Sequence, residues 1–252
     1  MRLKNDKGDN SSNEIAEFSK WILAVGDGRV SEPNDGLADI EIPRELLITD
    51  FEDPIQAIVE STYLDLLQNY TRLDCLQGKA ILASTIEVVE KINHYILSLI
   101  PGDEKEYLSF DEIDNTDATY TKAYEVLTPE FLSNLRTSGL ANHILKLKVG
   151  TQIMLMRNLD QSQGLFNGTR LIVTRLANHV IEARIISGKN IGNLFYIPRM
   201  SVSPSESPWP FKLIRRQFPI FVSYAMTINK SQSQSLDTVR LYLPTPFFSH
   251  GQ

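Results

Sequence analysis

Cysteine is almost missing from this sequence, with Cys75 alone among 252 residues, and histidine occurs only four times. A single cysteine excludes an internal disulfide framework, and the scattered histidines offer no Cys/His cluster at the spacing of a zinc site. No apolar run approaches the roughly 18 residues needed to span a bilayer, and the first residues lack the apolar core of a signal peptide. We therefore expect a soluble intracellular protein with no membrane association and no structural zinc.

Acidic and basic residues are unevenly distributed along the chain, whose net charge is −6. Residues 1–126 carry 11 Lys and Arg against 26 Asp and Glu, a charge of −15, whereas residues 127–252 carry 14 against 5, a charge of +9. A basic half with few acids favours contact with phosphate groups, although an ordinary basic surface explains the same count equally well. The 42% of hydrophobic residues is enough to bury a core.

Recognisable catalytic motifs are also scarce. No Ser-His-Asp order stands out, and Cys75 lies at a polar helix end. The glycine-rich stretch 26–28 follows a helical pattern and lacks the Gly-Lys-Ser/Thr that ends a phosphate-binding loop, so it predicts a helix cap. No segment matches the Walker A pattern, and no apolar strand ends in an Asp pair suited to Mg²⁺.

Apolar spacing predicts an α/β protein whose later part is rich in strands. Helical spacing covers residues 14–25, 54–67, 86–99 and 131–135. A short strand at 80–83 runs into the third of these helices through Ser84 and Glu87, a capping-box pattern, and such units build open parallel sheets. Strand patterns follow at residues 152–156, 170–176, 180–186, 194–200, 219–222 and 239–243. The succession of short strands predicts a small barrel.

Residues 223–236 combine small, hydroxylated and amide side chains around one lysine, Lys230, directly after an apolar strand. Loops at strand ends commonly form ligand crevices, and such side chains can hydrogen-bond phosphate oxygens without reading bases. Polar loops after strands are common, however. Taken by itself, Lys230 is better interpreted as a solvated surface lysine.

The same segment resembles the Thr-x-x-Lys-Ser-Gln-Gly-Gln motif of Pif-type, RecD-like helicases of superfamily 1. In this chain the motif reads Thr227-Ile228-Asn229-Lys230-Ser231-Gln232-Ser233-Gln234. Further blocks are similar to the plant and Helitron-like branch of these helicases, at residues 147–150, 154–160, 164–165, 167–173, 215–219 and 241–244. The similarity runs over essentially the whole chain.

The resemblance implies roles for individual residues. Five residues of the motif would contact the backbone of single-stranded DNA or hold the protein loop that does so: Thr227, Asn229, Lys230, Ser231 and Gln232. Gln234 would face the nucleotide, and Arg2 would approach the γ-phosphate as the arginine of an Asn-Met-Arg motif. Arg170 would add a phosphate contact from the barrel, although a structural role is the preferred interpretation, as it is for Thr85 and Asn93. Ser233 replaces a family glycine, so we expect a strained loop there.

The resemblance also implies a fold and an activity. We expect a partial RecA-like second motor domain of the P-loop NTPase class, with an inserted SH3-like β-barrel of the 2B type. Its expected segments are 1–78 (end of the first motor domain and connector), 79–143 (second motor domain), 144–217 (barrel) and 218–252 (return to the motor domain). The activity implied is ATP- and Mg²⁺-dependent, 5′-to-3′ movement on single-stranded DNA or DNA junctions, with roles in repair, recombination and telomere maintenance, in the nucleus or an organelle.

The family's P-loop and metal ligands would precede Met1, and its arginine finger would follow Gln252. Phosphoryl transfer depends on positioning and charge stabilisation by those groups, so we expect the isolated chain not to hydrolyse ATP. The alternative is a noncatalytic DNA-binding remnant of a helicase or transposon gene. The oligomeric state is not predicted.

Overall fold

The computed structural model describes residues 9–29, 40–114, 124, 126–137, 139–204, 208–232 and 234–244. The chain divides into two units, one formed by residues 1–51 and 246–252 and the other by residues 52–245. Two of the sequence predictions, those for Arg2 and Ser233, lie outside the described residues.

The first unit contains helix α1 (Asp9–Gly26) and a 3₁₀ turn (Arg44–Leu46). The rings of Phe18 and Trp21 stack on α1 with centroids 5.9 Å apart. The helix ends where Gly28 takes a positive φ of 68° and donates its N–H to Val25 O. This agrees with the predicted glycine cap.

The second unit combines helices and strands, as the sequence predicts. Its helices are α2 (Pro54–Thr62), α3 (Leu66–Asn69), α4 (Leu73–Leu76), α5 (Ile86–Leu99), α6 (Pro129–Asn134) and α7 (Ile228–Ser231). Its strands are β1 (Lys79–Ala83), β2 (Lys105–Leu108), β3 (Phe110–Ile113), β4 (Ile144–Leu147), β5 (Gln152–Leu155), β6 (Arg170–Leu176), β7 (Val180–Ile185), β8 (Leu194–Pro198), β9 (Met200–Val202), β10 (Leu213–Gln217), β11 (Ile220–Val222), β12 (Ala225–Thr227) and β13 (Thr238–Tyr242).

A three-stranded parallel sheet lies at the centre of the predicted motor domain. Its order is β12-β1-β13, with Ala83 of β1 level with Thr227 on one side and Tyr242 on the other. All three strands therefore end at the same edge. Helix α5 covers the sheet through an apolar stripe that includes the fully buried Ile92 and Ile96. The strand-to-helix unit predicted from the sequence is thus confirmed.

The N-terminus of α5 is capped one residue later than predicted. The cap is Thr85, whose hydroxyl accepts the Val88 N–H over 3.4 Å, and Ser84 lies before it. The Thr85 hydroxyl also lowers the pKa of Glu87, after the larger effect of the Glu87 backbone N–H. Both contacts favour the first turn of the helix.

The β-rich part forms an open sheet rather than the expected closed barrel. Five antiparallel strands run in the order β11-β5-β6-β7-β8, around a core that includes Leu171, Ile181 and Phe218. Within the described residues, β11 pairs only with β5 and β8 only with β7, so the sheet does not close. A β-bulge between Val173 and Arg175 shifts the register and adds local twist.

Two smaller sheets join segments on both sides of the predicted boundaries. They have the orders β2-β4 and β3-β10-β9. A buried ion pair holds the β3-β10-β9 sheet together. Arg215 Nε donates to Asp111 Oδ1 over 2.5 Å, and Arg215 Nη1 and Nη2 donate to four backbone carbonyls. The pairing of β2 with β4 joins strands on either side of the predicted boundary at residue 144. The pairing of β5 with β11 does the same at the predicted boundary at residue 218.

Candidate nucleic-acid interface

Thr227 lies at the carboxyl edge of the parallel sheet, where β12 passes directly into α7. The neighbouring strand β1 ends level with it at Ala83 and continues through Ser84 into α5. In open α/β sheets, ligands bind outside this edge of the strands. The predicted DNA-binding segment therefore occupies a position suited to holding a ligand.

Strand β12 is the outer strand of the sheet, and its free edge is hydrogen-bonded by Asn93 of α5. Asn93 Nδ2 donates to Ala225 O and Val222 O, each over 3.0 Å, and Asn93 Oδ1 accepts the Ala225 N–H over 2.8 Å. The other side of β12 faces β1, since Ile81 N donates to Tyr224 O. Sequence reasoning assigned Asn93 only a place in a helix, because its partner lies 132 residues further along the chain.

A second set of buried contacts holds the start of β12. The Tyr224 hydroxyl donates to Gly150 O over 3.1 Å and accepts the Gln152 N–H over 3.0 Å, while Tyr63 donates its own hydroxyl to Tyr224 O over 2.7 Å. The Tyr63 and Tyr224 rings meet edge to face. Burial raises the pKa of both hydroxyls, so they remain neutral donors. The segment before Thr227 is consequently held from two directions.

Lys230 carries the only charge among residues 227–232. Its ammonium nitrogen lies 3.9 Å from the centroid of the Phe221 ring, although the residue as a whole is exposed. Desolvation lowers the pKa of this ammonium below the usual lysine value of 10.5. The charge thus rests against an aromatic face on an exposed residue, from which it can reach an anion.

The other predicted contacts of this segment differ in exposure. Asn229 and Gln232 are exposed, whereas Thr227 and Ser231 are half-buried. Ser231 donates its hydroxyl to Ile228 O over 2.7 Å, which closes the single turn of α7. Asn229 and Gln232 can therefore meet a strand directly, while Ser231 holds the turn.

Gln234, predicted to face a nucleotide, contacts the turn before β6 instead. Its Nε2 donates to Gly168 O over 3.2 Å, and its backbone N–H donates to Ser231 O over 2.9 Å. Gly168 has a φ of 92°, and a Cβ there would lie 2.7 Å from Gln234 Nε2. This contact links the segment after α7 to the five-stranded sheet.

Arg170 does not lie where a phosphate contact would need it. The residue is 2% exposed, and its Nη2 donates to Lys79 O at the start of β1, while its Nε has no hydrogen-bond partner among the described residues. Burial lowers the pKa of the guanidinium, and the nearby Tyr63 opposes that change. This geometry agrees with the structural interpretation preferred from the sequence, in which Arg170 connects β6 to β1.

Across the ranges described, no three His, Cys, Asp or Glu side chains are arranged to hold a metal ion. The helices in those ranges are too short or too polar to cross a bilayer. The Gln234 side-chain amide donates to Gly168 O, so in this arrangement it does not face a nucleotide.

Comparison with known proteins identifies the relatives of this chain. The family model for the 2B domain of DNA helicase Pif1 matches residues 130–176. The ATP-dependent DNA helicase PIF1 of Xenopus laevis is 29% identical over 167 residues, which cover 64% of this chain and 23% of that protein. The human PIF1 helicase is 32% identical over 124 residues, covering 48% of this chain and 19% of that protein.

These similarities support a fragment of a Pif1-type helicase. The chain spans about a quarter or less of the length of the two PIF1 relatives described above. A bacterial Pif1 helicase, from Bdellovibrio bacteriovorus, is 29% identical over 126 residues, 50% of this chain and 27% of that protein. Membership of the plant and Helitron-like branch of the Pif1 family stays a prediction.

Solved Pif1 structures resemble the chain in part. Pif1 from Bacteroides in complex with ADP-AlF3 and single-stranded DNA gives a TM-score of 0.49 at 21% identity, covering 79% of this chain and 45% of that one. Pif1 from Candida albicans gives a TM-score of 0.47 at 22% identity, covering 71% of this chain and 43% of that one.

Proposed function

We propose that this chain is the part of a Pif1 helicase that holds single-stranded DNA against the carboxyl edge of a RecA-like second motor domain. The observation that carries the proposal is the placement of Thr227 and Lys230: Thr227 ends strand β12, which Asn93 holds, and Lys230 lies in the turn of α7 that follows directly. Exposed amides and one cation at a strand end suit backbone phosphates, which positions a strand without selecting its sequence.

The whole protein would couple ATP hydrolysis to 5′-to-3′ movement along single-stranded DNA and to duplex unwinding. ATP and Mg²⁺ would be its cofactors, and DNA junctions would be further partners, in the nucleus or an organelle. The five-stranded sheet would be the SH3-like 2B insert, since the 2B model overlaps its strands β5 and β6. Residues 1–78 would close the first motor domain, and residues 79–143 with 218–252 would form the second.

Within this proposal, Lys230 supplies the charge that meets a phosphate. Thr227, Asn229 and Gln232 add hydrogen bonds, and Ser231 and Gln234 hold the segment in shape. The isolated chain would bind DNA and would not hydrolyse ATP. A noncatalytic remnant remains the alternative, although the helicase relatives do not favour it.

The test is binding of a fluorescent oligothymidine to the purified chain over a series of salt concentrations. We expect Lys230→Ala to weaken binding and to reduce the slope of log affinity against log salt by about 0.7, the value for one phosphate contact on a single strand. Lys91→Ala removes an exposed lysine from α5 and is the matched control. Equal affinities and slopes for the Lys230 and Lys91 variants would refute the proposed role of this segment.

A further inference from the structure

A second basic cleft lies away from the Thr227 segment, on the small sheets and on the turns beside them. It has a volume of about 430 Å³ and is lined by residues from four chain segments, among them Phe110, Asn178, His179, Arg199 and Arg216. We call it the Arg199–Arg216 cleft. Arg216 falls within one of the resembling blocks, residues 215–219, but neither the resemblance nor the proposed function assigns a role to any of these residues.

Two guanidinium groups share this cleft, and among the described residues no carboxylate is paired with either of them. In the described part of the chain, neither Arg199 nor Arg216 forms an ion pair with Asp or Glu. Burial lowers the pKa of Arg199, and the neighbouring positive charge of Arg216 lowers it further. Two like charges held together are destabilising unless an anion joins them, so the arrangement favours anion binding.

Arg199 is held in a fixed orientation. Its Nη1 donates to Leu108 O over 2.6 Å and to Gln217 Oε1 over 3.3 Å, and its guanidinium carbon lies 4.9 Å from the centroid of the Phe218 ring. The planar group is therefore oriented before any ligand arrives. A pre-oriented guanidinium loses little entropy when it binds phosphate.

An aromatic ring stands beside the two charges. Phe110 of β3 and Arg216 of β10 are directly opposite in an antiparallel pair, so their side chains lie on one face of the sheet. The Phe110 side chain is 63% exposed, which is high for a large apolar residue. An exposed ring next to paired cations is the combination that binds single strands, with a base on the ring and a phosphate on the charges.

We propose that the Arg199–Arg216 cleft is a second binding site for single-stranded DNA, with the backbone phosphate on the two arginines and a base stacked on Phe110. This site is built from elements other than the Thr227 segment and goes beyond the function proposed above. It would let the chain hold one strand at two points.

The test uses the full chain with a fluorescent oligothymidine over a salt series. Arg216→Gln is expected to weaken binding several-fold and to reduce the salt slope by about 0.7. Phe110→Ala is expected to weaken binding about fivefold or more through the lost stacking. Arg184→Gln is the matched control, because this exposed arginine of β7 lies outside the cleft and beside Glu182. Circular dichroism and urea unfolding establish that each variant is folded.

Three outcomes separate the possibilities. Affinities unchanged by both Arg216→Gln and Phe110→Ala would overturn the proposal. Loss of binding in Arg216→Gln alone, together with displacement of the oligothymidine by inorganic phosphate, would also overturn it, because the cleft would then bind a free phosphate rather than a strand. If Lys230→Ala has no effect while both cleft variants weaken binding, the cleft is supported and the function proposed for the Thr227 segment fails.

Discussion

Asn93 and Ala225 exchange two hydrogen bonds, with the Asn93 side-chain amide acting as the missing neighbour of an outer strand. The amide donates to Ala225 O and accepts from Ala225 N, as a paired strand would. An uncovered strand edge invites pairing with other chains, so this contact both satisfies and covers it. It also fixes the strand two residues before Thr227, which ties the stability of the core to the candidate DNA contact.

Replacing Asn93 should therefore affect stability and binding together. Asn93→Asp keeps the shape but replaces the donating amide with a charge facing two carbonyl oxygens, and we expect a loss of about 3 kcal/mol or more of unfolding free energy. Urea unfolding measures the loss. The neighbouring His94→Gln, at an exposed position of the same helix, is the control and should change stability by less than about 0.5 kcal/mol. An Asn93→Asp variant as stable as the control would contradict this role.

Substitutions at Gly168 and Gly188 can distinguish the effect of the Gln234 contact from the effect of backbone strain. Both glycines have positive φ values, 92° and 86°, but only a Cβ at Gly168 would meet Gln234. We expect each Ala substitution to cost about 1–2 kcal/mol in unfolding free energy. Only Gly168→Ala should move the Gln234 side-chain amide signal in NMR spectra. An unmoved signal would show that Gln234 does not contact the turn in solution.

The lowered pKa of Lys230 predicts how DNA binding changes with pH. A phosphate favours the charged ammonium, so binding takes up a proton wherever the free lysine is neutral. Affinity should be constant near neutral pH and fall as the pH rises through the lowered pKa, which lies below 10.5. In the Lys230→Arg variant the charge persists, and the fall in this range should disappear. The same fall in both proteins would assign it to another group.

The buried pair of Arg215 and Asp111 should be sensitive to removal of either partner. Asp111→Asn leaves the guanidinium of Arg215, itself 1% exposed, without its counter-charge, and we expect a loss of about 3–5 kcal/mol. Urea unfolding is the measurement, with Arg216→Gln as an exposed control on the same strand. A loss below about 1 kcal/mol would mean that this pair contributes little to holding β3 against β10.

Local patterns in the sequence predicted many elements because their cause is local. The apolar stripe of α5, with Ile92 and Ile96, follows from helical periodicity and capping, and strand β6 follows from its β-branched residues and the turn signals on either side. The sequence predicted Ser84 as the N-cap of α5, whereas the structure has Thr85 there. Both residues carry a hydroxyl group that can cap a helix, so the sequence does not distinguish them. The sequence did not predict strands β2 and β3. Both contain charged residues, and of their side chains only that of Tyr107 is fully buried, so neither shows a clear apolar pattern.

Contacts between distant residues could not be predicted in the same way. The sequence favoured a structural role for Arg170 but could not identify its acceptor, Lys79 O, which lies 91 residues earlier in the chain. The burial of Arg170 depends on how β6 packs against β1, which no local pattern records. The barrel prediction is not confirmed for a similar reason, because strand count predicts several strands but not whether the last one pairs with the first.

The most direct test of the central claim is photocrosslinking of the chain to an oligonucleotide containing 4-thiothymidine, with the attached tryptic peptides identified by mass spectrometry. Cleavage after Lys230 divides the candidate segment between the peptides 217–230 and 231–240. We predict crosslinks in one or both of these peptides, with their loss at high salt. Crosslinks confined to other peptides would contradict the placement of single-stranded DNA at the carboxyl edge of the parallel sheet.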